Sequence, residues 1–159
     1  MILDSFILAR VLHVLGIVLW IGGVAMVTTT ILPALKNFPP ADRVTLFEKI
    51  ERQFARQARW TTLLTGLSGF YLLFYFNAWS RYLFLEFWWV HLMTLVWVMF
   101  TLVLFVLEPL FLHRWFLQKS QQDPVKTFAL IQTMHWVLLT LSLLAIVGAV
   151  TGSHGGRWF

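Results

Sequence analysis

The chain has no cysteine, and charge is scarce: 12% of its 159 residues are charged, with only seven acids. The first absence excludes disulfides, thiolate metal sites, iron–sulfur clusters and cysteine nucleophiles. The second excludes a soluble globule. Soluble domains are roughly a quarter charged, and a chain with so little polar surface belongs in a bilayer. Soluble enzymes, nucleic-acid-binding modules and disordered tails are excluded with it. Internal repeats and low-complexity segments are also missing. The net charge of +5 reflects a shortage of acids rather than a basic patch.

What is present is apolar. Residues of the AVILMFWYC set make up 59% of the chain, and the mean hydropathy is +0.76. A helix crossing the hydrocarbon core needs ~20 mostly apolar residues. Four stretches qualify, at about 6–32, 60–76, 84–112 and 128–150. The first is too long for the apolar core of a signal peptide and lacks a small-x-small site after it, so it reads as a retained span. Between the first two stretches, Pro33, Pro39 and Pro40 break the chain. Val44, Phe47, Ile50, Glu51 and Phe54 then recur at helical spacing, which predicts an amphipathic segment at about 41–58. Short loops are expected at 77–81 and 114–125, with Asp123-Pro124 as a helix start.

Nine of the twelve lysines and arginines fall in the first and third loops: Lys36, Arg43, Lys49, Arg52, Arg56, Arg59, Arg114, Lys119 and Lys126. The positive-inside rule places those loops in the cytoplasm. Both termini are then periplasmic in the inner membrane of a Gram-negative bacterium. The expected fold is all-α, an integral membrane up-down four-helix bundle forming one domain. Gly16, Gly22, Gly23, Gly66, Gly69 and Gly148 lie within the spans, where small residues permit close helix approach. Trp79, Trp88, Trp89, Trp115 and Trp158 fall near span ends, as an aromatic belt does.

Five histidines remain in this oily chain, and an ionisable residue inside a span is costly and usually functional. His13 and His91 each lie seven or eight residues in from the outer end of their spans, roughly 10–12 Å deep. Spans one and three are diagonal in a square bundle, so both imidazoles are expected to point at its axis. That pattern suits bis-histidine ligation of haem b iron. Arg10, one turn outward of His13, is a candidate for the haem propionates, with Arg81 and Arg157 at the same surface. Gly16 follows His13 by a turn and leaves room for a flat ligand, and Trp20 is a candidate pocket wall. His135 lies near the midplane as a proton-relay group, a ligand to a second cofactor, or a packed histidine. His113 reads as interfacial and His154 as solvated. Glu108, beside Pro109, reads as a proton or quinone-site group or as a snorkelling carboxylate.

The run His13-Val-Leu-Gly-Ile-Val-Leu-Trp20-Ile-Gly22-Gly23 resembles the first helix of the copper-resistance D-type membrane proteins and of the related HemJ-type protoporphyrinogen oxidases. The segment from Phe54-Ala-Arg56-Gln-Ala-Arg59-Trp60 to Leu64-Thr65-Gly66 resembles the start of their second helix, and Trp89-Val-His91-Leu their third-helix histidine. The resemblance implies a haem-binding four- or five-helix membrane protein with His13 and His91 at the matching positions. The lysine that follows the third-helix histidine in HemJ-type enzymes is Met93 here.

The leading expectation is a membrane b-type cytochrome carrying out electron transfer with a quinone or a periplasmic redox partner. Alternatives are a haem-dependent protoporphyrinogen IX oxidase, a copper-handling protein, and a non-catalytic membrane subunit. The copper reading meets five methionines, Met1, Met26, Met93, Met99 and Met134, that form no paired motif. Partners expected beyond the bilayer and the redox partner are further copies of the chain.

Overall fold

The computed structural model describes residues 4–156, apart from the side chain of His113. Every regular element among them is helical. Helix α1 runs Ser5–Leu35, α2 Pro40–Tyr75, α3 spans residues 88–122, and α4 runs Pro124–Ser153. Their starts follow from local chemistry. Asp4 accepts the Phe6 amide at the head of α1, Pro40 opens α2, and Asp123 accepts the Lys126 amide in front of Pro124 at the head of α4. The segments Ser5–Leu35, Leu85–Leu112 and Pro124–Ser153 are long and apolar enough to cross a membrane.

The amphipathic segment 41–58 and the apolar stretch 60–76 form one unbroken helix, since neither proline nor glycine occurs between Pro40 and Gly66. Thirty-six residues make a rod of about 54 Å, well beyond the ~30 Å of a hydrocarbon core. The loop expected at 114–125 is also helix, through His113–Gln122, and ends only at Asp123. At the other end, residues 77–87 are wound into two 3₁₀ turns, with Asn77 left-handed at φ 50°.

Two stretches widen into π-helix, Val27–Ile31 and Val103–Leu112. The first leads directly into Pro33 and the second contains Pro109. A proline has no N–H to give to the helical ladder, and a wider turn is one way to accommodate the gap. Around the first, the Thr28 and Thr29 hydroxyls donate to the carbonyls of Val24 and Ala25 at 2.7 and 2.8 Å.

The four helices pack side by side and alternate in direction. Phe6 of α1 stacks on Tyr75 at the end of α2, while Gly23 lies against Phe54 near its start. On the other side, Trp89 of α3 lies against Gly148 and Gly152 of α4. Helices α1 and α3 meet across the diagonal through Trp20, whose ring stands edge-on to Phe100 at 4.9 Å. One core surrounds that contact. A second, built on Val27, Leu32, Val44, Phe47, Phe128 and Ile131, gathers the end of α1 and the starts of α2 and α4. The two long basic segments therefore share one end of the molecule. Outside the core, large apolar side chains face outward on every helix, including Val18, Trp60, Leu67, Phe74, Leu110 and Val150.

Candidate functional sites

One site, at the end of the bundle away from the basic segments and called the outer end from here on only by that position, is built on α2. Its inward face carries the buried Thr61, Thr62, Thr65, Gly66 and Ser68 and the half-buried Gly69, small enough for neighbours to approach the backbone. Two aromatic side chains use that access. Trp97 Nε1–H of α3 donates to the Thr62 carbonyl at 3.0 Å, over Gly66. His13 of α1 lies over Gly69, where a Cβ would come within 3.0 Å of its Cε1.

His13 Nδ1 is 2.9 Å from the Thr65 carbonyl oxygen. A carbonyl only accepts, so Nδ1 carries the proton and donates it. The Ser68 hydroxyl, 3.2 Å from the same nitrogen, gives its own proton to the Leu64 carbonyl at 2.6 Å and is left as a second acceptor. The tautomer is thereby set: Nε2 of His13 keeps its lone pair. A metal-bound histidine usually has this arrangement, with one ring nitrogen anchored to a carbonyl and the other on the metal.

His91 is arranged differently. Its neighbours in helical phase are Leu95, Val98 and Leu102, all exposed, whereas Trp89, Val96 and Phe100 on the opposite side of α3 are buried. It therefore lies on the outward face of α3, not toward the bundle axis as the square-bundle argument expects. The 3₁₀ segment folds over it. The Tyr82 ring stands edge-on to the imidazole at 5.4 Å, and the Tyr82 hydroxyl shares a 2.6 Å hydrogen bond with Thr94. His91 Nε2 is shielded from solvent and has no hydrogen-bond partner among the described residues. Trp97 meets α2 at Thr62, and His91 lies six residues, about 9 Å, further along α3 toward the end where His13 meets Thr65, which brings the two histidines within about a turn of the same level. Among the described residues, no hydrogen bond or ring contact joins them.

Arg10 is exposed and lies over the Phe6 ring at 5.7 Å, and Arg81 lies over Phe87 at 5.4 Å. Gly16 is small because of α2, since a Cβ there would meet Thr65 and, at 3.3 Å, the Thr61 carbonyl. Space at Gly16 is thus used for helix approach rather than left open for a flat ligand. Trp20 is 3% exposed in the core, and its indole N–H has no partner among the described residues. Arg157, Trp158, Met1 and the His113 side chain lie outside the described residues.

At the basic end the chemistry changes. A cavity of about 120 Å³ lies between the starts of α2 and α4 and the π-helical part of α3. Among its walls are Glu48, Glu51, Arg52, Glu108 and His135, set in phenylalanine and leucine. Glu108 forms an ion pair with Arg59. Arg59 has a second task. In the i→i+5 register of a π-helix, the carbonyl of Leu104 would take a hydrogen from residue 109, which is proline. Arg59 Nε donates to it instead, at 3.1 Å. His135 Nδ1–H donates to the Ile131 carbonyl at 2.9 Å, and its ring stands edge-on to Phe47 at 5.4 Å.

Glu51 lies in the part of α2 that precedes the stretch 60–76. Burial, reinforced by the negative charges of Glu108 and Glu48 and opposed by Arg59, pushes its carboxyl up to about 7. Among the described residues, no set of three histidine, aspartate or glutamate side chains is placed to hold a metal ion. Neither Arg59's double role nor the proximity of Glu51 to Glu108 is visible in sequence spacing, since 49 residues separate the paired side chains.

No family model, curated protein or solved structure matches the chain.

Proposed function

We propose that the chain is a four-span membrane b-type cytochrome that holds haem b at its outer end and transfers electrons. His13 carries the reading. Its Nδ1–H is committed to the Thr65 carbonyl, and its Nε2 lone pair is directed away from that bond. Haem iron needs only axial nitrogen ligands from the protein, so the absence of a three-residue cluster does not bear against it. The resemblance of the His13–Gly23 run to the first helix of haem-binding membrane proteins supports the same position. The second axial ligand of this reading is His91, whose shielded Nε2 suits iron. It shares an iron with His13 only if α3 turns about its axis from the arrangement described above.

The fourth span is the outer half of α2. Its buried threonines, serine and glycines lower its hydropathy, yet Trp60, Leu67 and Phe74 form an outward apolar stripe, 71–76% exposed. The gathering of basic residues at the other end supports a cytoplasmic placement for that end, with the termini outside in a bacterial inner membrane. A quinol or a periplasmic redox protein is then the source or destination of the electrons.

Purified protein with haem and iron counted per chain tests this reading, together with a reduced-minus-oxidised spectrum. One haem b per chain with sharp low-spin bands is expected. Colourless, well-folded protein would refute it. If His91→Ala keeps the haem and only His13→Ala loses it, His91 is removed as a ligand and His13 stands alone.

A further inference from the structure

Several cations of the basic end are already used. Arg43 donates to the carbonyls of Phe38 and Lys36, Arg59 pairs with Glu108, Lys119 lies over the Trp115 ring, and Lys126 pairs with Asp123. Lys49, Arg52 and Arg56 are different. All three are exposed, and none has a hydrogen bond or ion pair among the described residues. They line one open groove of about 430 Å³ on α2, with Thr45, Glu48 and Gln53. Glu48 also lines the cavity behind it. Counted in full toward the groove, it sets one carboxylate against three cations. Asp42 lies seven residues, about 10 Å, before Lys49 and does not line the groove.

The groove has a particular place on its helix. Lys49 and Arg56 precede Trp60 by eleven and four residues, and Leu67 and Phe74 follow it by seven and fourteen. At 3.6 residues per turn these spacings are close to whole turns, so the five residues share one face of α2. Trp60, Leu67 and Phe74 are its outward apolar stripe, and the basic groove continues that stripe directly. The ~20 residues that a hydrocarbon core needs, counted back from Tyr75, reach Arg56. Arg56, Arg52 and Lys49 then occupy the ~10 Å just beyond the core, the level of lipid headgroups. An apolar stripe that runs into uncommitted cations matches a molecule with an apolar tail and an anionic head. A nucleic acid or an acidic protein would use the cations alone.

We infer that this groove binds the phosphate headgroup of an anionic membrane phospholipid whose acyl chains lie along Trp60, Leu67 and Phe74. The guanidinium groups of Arg52 and Arg56 offer paired N–H donors to phosphate oxygens, and Lys49 adds a point charge. The Thr45 hydroxyl and the Gln53 amide offer neutral hydrogen bonds. The inference rests on the reading of the outer half of α2 as a lipid-facing span. It is independent of the haem.

Native mass spectrometry of the full chain in detergent, with equimolar phosphatidylglycerol and phosphatidylcholine, tests it. The first bound lipid should be phosphatidylglycerol by about fivefold or more, the factor that one cation near a membrane surface supplies. Lys49→Gln/Arg52→Gln/Arg56→Gln should abolish this enrichment. Lys36→Gln/Lys119→Gln/Lys126→Gln, with the same loss of charge at the same end, should keep it. No enrichment in the wild type would overturn the proposal. Equal loss in both variants would overturn it too, by assigning the effect to the general positive field. Displacement of the lipid by excess inorganic phosphate would replace the lipid site with a free-phosphate site. The underlying span is tested separately, since a chain without cysteine accepts a single nitroxide label at Leu67→Cys. In liposomes that label should be reached by oxygen and not by a water-soluble nickel chelate. Access of the chelate would overturn the span reading. Oxygen access without lipid enrichment would overturn the headgroup site alone.

Discussion

The two ends of the molecule bury polar groups in opposite ways. At the outer end the packing is close and carries no paired charge. His13 and Trp97 each reach a carbonyl of α2 over a glycine, with no charged group in either bond. At the basic end the helices separate around a cavity, and polarity is handled by charge: an arginine, its glutamate partner and a second glutamate nearby. The difference lies in what α2 offers. Its outer half is threonine, serine and glycine, which lend backbone oxygens at short range. Its inner half is glutamate and arginine, whose long side chains keep neighbours apart. One helix thus makes a close-fitting socket for a ring at one end and a charge-lined cavity at the other.

The comparison breaks most readily at Arg59. Arg59→Met leaves the partly buried Glu108 without its cation and the Leu104 carbonyl without this donor. A third of the Arg59 side chain is exposed, which moderates the cost of losing a buried pair to roughly 2–3 kcal/mol. Thermal unfolding in detergent should show this as a marked fall in Tm, recovered in part by adding Glu108→Leu. A Tm unchanged in the single variant would mean that the inner end does not rely on its ion pair.

Next in size is the socket. Gly69→Ala places a methyl 3.0 Å from His13 Cε1, in a packed site where overfilling costs about 1–3 kcal/mol. It should displace the imidazole from the Thr65 carbonyl and lower haem content in purified protein. Gly22→Ala, where nothing lies within 4 Å, should leave haem content unchanged. Equal effects from both would erase the distinction between a shaped socket and a generic helix contact.

The third prediction concerns pH. A carboxyl whose folded value of about 7 lies above its ordinary 4.5 contributes stability below 4.5 that is lost as pH rises through 7. Glu51→Gln should therefore raise Tm above about pH 7 and leave it unchanged near pH 4.5. A stabilisation that is the same at both pH values would place Glu51 in solvent rather than in the cavity. The smallest effect is expected from Ser68→Ala. It removes a 3.2 Å acceptor from His13 Nδ1 while the 2.9 Å bond to Thr65 remains. A change of under about 1 kcal/mol is expected, with haem content preserved. Loss of haem here would show that the hydroxyl, not the carbonyl, holds the tautomer.

Much of the architecture is legible in residue order. Hydrophobic runs locate α1, α3 and α4, the lysine and arginine positions mark one end, and Asp123-Pro124 marks the start of α4. The continuity of α2 and the extension of α3 to Gln122 are harder to read, because polar helical residues look like loop when only hydropathy is followed. His13 stands out in sequence as a histidine within an apolar run, but its anchor does not, since Thr65 acts through its backbone carbonyl and any residue has one. His91 shows how depth alone misleads. It matches His13 in level, yet its face is set by helical phase against Phe100 and Trp97, and the side covered by Tyr82 is determined by a loop fold that has no periodic signature. Arg59's role depends on Pro109 and on a π-turn, and only the packed structure brings them together.

The central claim is that His13 Nε2 holds a haem iron at the outer end. The most direct measurement is the haem-to-protein ratio and reduced-minus-oxidised spectrum of wild type and His13→Ala, purified side by side with helicity checked by circular dichroism. The account predicts about one low-spin haem b per wild-type chain and its loss in folded His13→Ala. A folded His13→Ala protein with an unchanged spectrum, or a wild type without haem, would contradict it.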